Sequence, residues 1–148
     1  MVEFTIRPAG RDDFPAIRSL IKAVHINPTG LDWRRFLVAL STQEELLGCG
    51  QIKPHADGSS ELASIAVNER TRGKGIAREI IKGLLARDTT RPLYLMCRAK
   101  LELFYNKFKF HIITMEEMPP YFRRISHIAH LFNRDTVPED RLIVMRLD

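Results

Sequence analysis

The chain has 148 residues, 45% hydrophobic and 28% charged, with a formal net charge of +5. That length suits a single domain spanning residues 1–148, and the composition excludes a disordered chain. A net positive charge points to a polyanionic partner without choosing among nucleic acid, a phosphorylated cofactor and a membrane surface.

The opening "MVEFTIRPAGRDDF" carries charges where a signal peptide needs an apolar core, so secretion is not indicated. Nowhere does an apolar run reach the roughly 18 residues that a transmembrane helix needs. "FTIRP" alternates Phe4 and Ile6 against Thr5 and Arg7, a short strand closed by Pro8. From Asp12 onward Phe14, Ile17, Leu20, Ile21 and Val24 recur at spacings of three and four, which predicts an amphipathic helix. "NPTG" at 27–30 is a turn. The next segment suits either a helix, through Trp33, Phe36, Leu37 and Leu40, or a buried strand, "RFLVAL". A strand over Arg35–Ser41 is preferred, because "TQEE" reads as a turn and Leu46–Lys53 as its pairing strand. Asp57-Gly58 is a hairpin signal leading into a third strand, "ELASIAV".

Beyond that strand Ile76, Ile80, Ile81, Leu84 and Leu85 line one helical face, with Arg78, Lys82 and Arg87 opposite. "PLYLMC" is a buried strand, "LELFYNKF" a short helix and "HIITM" another strand, after which "MPP" breaks the chain. "YFRRISHIAHLF" puts Phe122, Ile125, Ala129 and Phe132 on one helical face, and "RLIVMRL" closes as a strand. The order is β-α-β-β-β-α-β-α-β-(α)-β, a mixed α/β sheet. Cys49 and Cys97 stand apart, with no CxxC or Cys/His cluster. No metal site or disulfide framework is therefore expected, and a reducing, cytoplasmic compartment fits.

Between the strand "ELASIAV" and the helix lies "NERTRGKG". Glycines at such a handover let backbone N–H groups approach an anion with no Cβ in the way. The helix that starts at Gly75 or Ile76 adds its unpaired N–H groups and the positive end of its dipole. Arg70, Arg72 and Lys74 bring mobile charge to the same point, and the combination suits a pyrophosphate. It is not a P-loop, since Lys74 is followed by Gly75 rather than Ser or Thr. A dinucleotide fingerprint would need a small residue at position 78, which is Arg78. A plain solvated basic turn is the competing explanation.

The same residues resemble the GNAT superfamily of N-acetyltransferases. Its cofactor motif, Arg/Gln-x-x-Gly-x-Gly/Ala between the fourth strand and the next helix, is matched by Arg72, Gly75 and Ala77. Gly73 and Lys74 complete the frequent "RGKG" form. "LFYNKFKF" resembles the family's "YeklGF" segment, with Lys109 where the family usually carries glycine. "IRPAGRDDFPAIRSLI" is similar to the family's first strand and helix. The asparagine often found several residues before the tyrosine is missing, with Arg98 near that position. The resemblance covers the chain except about residues 116–140.

The resemblance implies a mixed, mostly antiparallel twisted sheet with helices on both faces. It also implies acetyl-CoA as co-substrate and an amine as acceptor. Arg72, Gly73, Lys74, Gly75, Ile76 and Ala77 would hold the pyrophosphate through their backbone. Ile65 and Val67 would pair with the pantetheine arm like an added strand. A bulge there would aim the N–H of Ala66 or Val67 at the thioester carbonyl. Tyr105 would sit near the sulfur, as a hydrogen-bond or proton donor to the departing thiolate.

Acetyl transfer needs a neutral amine, and neutralising a lysine-like amine at pH 7 costs roughly 4–5 kcal/mol. Glu61, at the start of "ELASIAV", is the leading candidate to take that proton, against the alternative of an exposed strand-end carboxylate. His25 and His111 are further candidates. Cys97 would suit an acyl-enzyme route, but its apolar strand reads more simply as burying a free thiol. In the segment outside the resemblance, Arg123, Arg124, His127, His130 and Arg134 would line an acceptor wall or form a solvated basic face.

Two rival classes stay open: a non-catalytic acyl-CoA-binding sensor and a basic module for anionic partners. No recognised nucleic-acid module is present, so nucleic acid is not expected as a partner. Many members of the resembling family dimerise, which leaves room for a homodimer.

Overall fold

The computed structural model describes residues 3–132 and 136–148. Its strands are β1 (Phe4–Pro8), β2 (Phe36–Ser41), β3 (Leu46–Pro54), β4 (Ser60–Val67), β5 (Leu93–Arg98), β6 (His111–Ile112) and β7 (Leu142–Leu147). Its helices are α1 (Phe14–Ala23), α2 (Ile76–Arg87), α3 (Glu102–Asn106) and α4 (Pro120–Phe132). The strands form a mixed, mostly antiparallel sheet in the order β1-β2-β3-β4-β5-β7-β6. The chain divides into two compact units, residues 1–53 with 62–89 and residues 54–61 with 90–148.

In the first unit β1 and β3 run antiparallel on either side of β2, Ile6 opposite Ala39 and Val38 opposite Cys49. Alternation along these strands sends Phe36, Val38, Leu40, Cys49 and Ala66 to one face. There they meet Ile17 and Ile21 of α1, both fully buried. The opposite face takes α2, and glycines let it approach. A Cβ on Gly50 would stand 2.5 Å from Ile65 Cδ1 and 2.9 Å from Ile80 Cγ2. One on Gly48 would stand 2.8 Å from Ile76 Cγ2, so the seat of α2 on β3 depends on two missing methyl groups. Helices on both faces, as expected, follow from this alternation.

In the second unit β5 pairs with β7 from Leu93 opposite Leu147 to Arg98 opposite Leu142, and β7 with β6. Glu61, the first buried residue of β4, belongs here and pairs in parallel with Tyr94. Tyr94, Ile113, Met118, Phe122 and Val144 form the core of this unit.

Departures from expectation have local causes. β2 starts at Phe36 because Asp32 Oδ1 accepts the Arg34 N–H and holds Trp33–Arg35 in a 3-10 turn. β6 keeps two residues of "HIITM", since Thr114 and Glu117 form a capping box that starts a new turn. Phe132, expected on the packed face of α4, is 82% exposed; Phe122 and Ser126 are the buried residues of that helix.

Candidate functional site

The glycine turn lies wholly in the first unit. β4 ends at Val67, and the Asn68 N–H donates to Leu47 O at 2.8 Å. Asn68 Oδ1 then accepts the Arg70 N–H, starting a 3-10 turn over Glu69–Thr71. Gly73 and Gly75 follow at φ +78° and +84°, the left-handed region that other residues enter at a cost. At Gly73 a Cβ would have nothing within 4 Å, so the backbone is open to an approaching group. Gly75 is the N-cap of α2 and offers no side chain to its first-turn N–H groups. They and the dipole are thus left facing whatever anion enters.

The charges around this turn sort differently from expectation. Arg70 Nη2 donates to Glu45 Oε1 at 2.9 Å, so that cation is engaged elsewhere. Arg72 and Lys74 are exposed and make no ion pair among the described residues. Arg78, placed by the sequence opposite the apolar face of α2, is exposed, and its guanidinium folds back over the turn. Its Nη2 would lie 3.0 Å from a Cβ on Gly75. No sequence signal distinguishes it from Lys82, because both stand on the polar face of α2.

Upstream on β4, Ser64 has φ +59°, a left-handed residue inside a strand. Such a residue bends the strand, as a bulge does, just before Ile65, Ala66 and Val67. Ser64 is held by its neighbours: its Oγ accepts from Gln51 Nε2 at 2.9 Å and its carbonyl from Cys49 Sγ at 3.6 Å. Ala66 is buried in the core, while Ile65 and Val67 are half-buried.

Glu61 and Tyr105 belong to the second unit, in separate packing environments. Glu61 is 6% exposed, so it is not a solvated strand-end carboxylate. Its Oε1 lies 2.7 Å from His55 Nε2. The His55 ring is stacked on Tyr121 at 3.7 Å and meets the edge of Phe122 at 5.6 Å. Asp57 Oδ2 accepts the Tyr121 N–H at 3.0 Å, tying the hairpin loop to the start of α4. Burial raises the Tyr121 phenol, and the Glu61 charge adds to the effect. Sequence reasoning missed His55 and Tyr121. The spacing His55-x5-Glu61 across a hairpin was the available signal.

Tyr105 packs against Phe104 and Phe110 and is buried. Burial, reinforced by the neighbouring Cys97, pushes its phenol well above 10, so it is a neutral donor at any ordinary pH. Cys97 itself is pushed up to about 12, by burial first and then by Glu102. A thiol so held is a poor nucleophile. Neither lone histidine gathers a comparable set: His25 and His111 are exposed. Arg123 is exposed as well, and it donates to the carbonyls of Met115 and Met118, bracing the turn before α4. Arg124, His127 and His130 are exposed, and Arg134 lies outside the described residues.

Residues 32–112 match the family model described as an acetyltransferase (GNAT) domain. No curated protein matches the sequence. Among solved structures, N-acetylglutamate synthase from Neisseria gonorrhoeae, complexed with coenzyme A and N-acetyl-glutamate, superposes with a TM-score of 0.71 at 19% identity. The match takes in 100% of this chain but 36% of that one, so the chain spans about a third of that protein's length. Rv2747 from Mycobacterium tuberculosis, solved in complex with CoA, gives 0.70 at 21% identity over 97% of this chain and 98% of that one. An acyl-CoA N-acyltransferase from Pseudomonas aeruginosa gives 0.66 at 18% identity and covers 100% of both chains.

Proposed function

The chain belongs to the GNAT acetyltransferase family, and from that membership we propose that it moves the acetyl group of acetyl-CoA directly to a primary amine. The reading takes residues 1–148 as one acetyltransferase domain working in the cytoplasm, in keeping with two cysteines that are both free thiols. Among the described residues no helix is long and apolar enough to cross a membrane.

The observation that carries the proposal is the turn at Gly73 and Gly75, both left-handed, opening onto an α2 N-terminus without a side-chain cap. In it the backbone from Arg72 to Ala77 receives the pyrophosphate, with Lys74, Arg72 and Arg78 as surrounding charge. Bound acetyl-CoA supplies an activated acyl carbonyl and a thiolate leaving group. Ile65 and Val67 offer backbone to the pantetheine arm past the Ser64 bend, and the N–H of Ala66 or Val67 receives the oxyanion.

Glu61, partnered by His55, takes the ammonium proton directly or through water. The freed amine attacks the carbonyl and forms the C–N bond, and the C–S bond breaks with its electron pair going to sulfur. The second N–H proton that the new amide nitrogen sheds passes through water to solvent or to the thiolate. Tyr105 donates a hydrogen bond to that thiolate. Its raised pKa makes full proton surrender uphill, so hydrogen bonding is the role its burial favours. Release of free thiol from acetyl-CoA, followed over a panel of primary amines, tests the reading. Amine-dependent thiol release that drops in Tyr105→Phe supports it. Acetyl-CoA binding without turnover on any amine would instead make the chain a sensor.

A further inference from the structure

The face of β3 that carries Cys49 into the apolar core turns polar further along. Gln51 and Lys53 follow at two-residue steps and so point the same way. Gln51 is fully buried and fully used. Its Nε2 donates to Ser64 Oγ at 2.9 Å and to Gly30 O at 3.3 Å, and its Oε1 accepts from Arg35 Nε at 3.1 Å. Arg35 Nη2 donates to the same Gly30 carbonyl at 3.0 Å. Gly30, at φ +67°, is thereby clamped over this end of the strand.

Lys53 has no such partner. It is 7% exposed, yet its ammonium makes no hydrogen bond or ion pair among the described residues. It is not sealed from solvent either: among the described residues the buried side-chain polar atom without a hydrogen bond is Asp140 Oδ1, which is ion-paired with Lys100, and not the Lys53 ammonium. The ammonium stands 3.2 Å from where a Cβ on Gly30 would be, and the missing side chain leaves that ground free. Lysines this deeply buried are ordinarily paired. A lysine that merely snorkels carries its head clear of the protein, whereas this one ends beneath a clamped loop.

We propose that Lys53, beneath the Gly30 loop, is the anchor for a carboxylate on the acceptor, so that the amine acetylated is borne by an amino acid or a similar small carboxylate. The proposal rests on the acetyl-transfer reading for the identity of the ligand as acceptor. The carboxylate pairs with the ammonium, while Arg35 and Gln51, already bonded to each other and to Gly30, hold the loop in place. Selectivity comes from charge: a carboxamide or a decarboxylated amine of equal size leaves Lys53 without a counter-ion.

The test is equilibrium titration of matched pairs, N-acetyl amino acids against their C-terminal amides, into the full chain. It is run on wild type, Lys53→Met, Lys53→Gln and the charge control Lys22→Met. A charge-assisted hydrogen bond predicts a preference for acid over amide of about 10- to 100-fold in wild type and Lys22→Met. The preference falls to about one in both Lys53 variants, whose ligand-free melting temperatures are not below wild type. Equal binding of acids and amides, no binding of any acid, or a preference that survives in a folded Lys53 variant overturns the proposal. So does a lower melting temperature in both Lys53 variants, which would make Lys53 a support for the loop. Lys53-dependent carboxylate binding without acetyl transfer would sink the transfer reading and leave the subsite standing. Transfer that ignores the carboxylate would do the reverse.

Discussion

Substituting Gly50 by alanine tests how α2 is seated on β3, and hence how the glycine turn is held. The added Cβ would meet Ile65 Cδ1 at 2.5 Å, Ile80 Cγ2 at 2.9 Å and Leu84 Cδ1 at 3.2 Å. Contacts under about 3 Å cannot stand, and Ile80 and Leu84 are buried, so three side chains must shift together. Overpacking of this kind costs about 1–3 kcal/mol. Reduced freedom of the unfolded chain returns about 0.4–1 kcal/mol, because the Gly50 backbone is one that alanine can adopt. The net expectation is a loss of about 1–2 kcal/mol. Gly10→Ala is the control: its Cβ would have Asp13 Oδ2 at 3.7 Å, an ordinary contact, and should change stability by less than about 0.5 kcal/mol. Urea unfolding of both variants, read as midpoint shifts at constant slope, checks the pair. Equal midpoints for Gly50→Ala and Gly10→Ala would refute the packing described for α2.

Lys109 occupies a left-handed turn at φ +73° after α3, so Lys109→Gly should stabilise the protein by about 0.5–1 kcal/mol in the same assay. Burial raises the Cys49 thiol from 9.0 to about 12, which makes stability pH-dependent in one direction. Below pH 9 the folded and unfolded thiols are both protonated. Between pH 9 and about 12 only the unfolded one ionises, so Cys49 contributes a loss of about 1.4 kcal/mol per pH unit. Cys49→Ala should have a correspondingly flatter profile in urea unfolding from pH 9 to 11. Glu61→Gln should keep the fold, since an amide can still hydrogen-bond His55, while lowering kcat about 10²- to 10⁴-fold in thiol-release kinetics. Cys97→Ala should retain turnover, because transfer is direct and that thiol is held protonated.

Strand and helix identities were legible because alternation and three-four spacing survive wherever an element buries one face. The pairs Phe36/Val38 and Ile17/Ile21 show both periods at once. The left-handed turn at "RTRGKG" was legible for a related reason, since glycines between a strand and a helix mark backbone that other residues enter at a cost. Long-range geometry was not. That Arg70 would spend its charge on Glu45, 25 residues earlier, depends on the approach of two turns, which local pattern does not encode. The His55–Glu61 pair and its stacking on Tyr121 join a hairpin loop to a helix far along the chain. Phe132 misled because helical spacing identifies a face without saying what covers it. Lys53 ends the strand predicted over Leu46–Lys53, and no local pattern signals its burial beside the clamped Gly30.

The most direct test of the cofactor cradle is calorimetric titration of acetyl-CoA into wild type and Gly73→Asp over a series of salt concentrations. Gly73 is the informative position: nothing lies within 4 Å to clash, and aspartate is, with asparagine, among the residues that enter φ +78° at least cost. Beyond that backbone cost the variant adds a negative charge set where the pyrophosphate would lie. The account predicts one equivalent bound at about micromolar strength by wild type, persisting in salt, and a loss of at least about tenfold in the variant. Absent binding, or weak binding that fades with salt equally in both proteins, would contradict it.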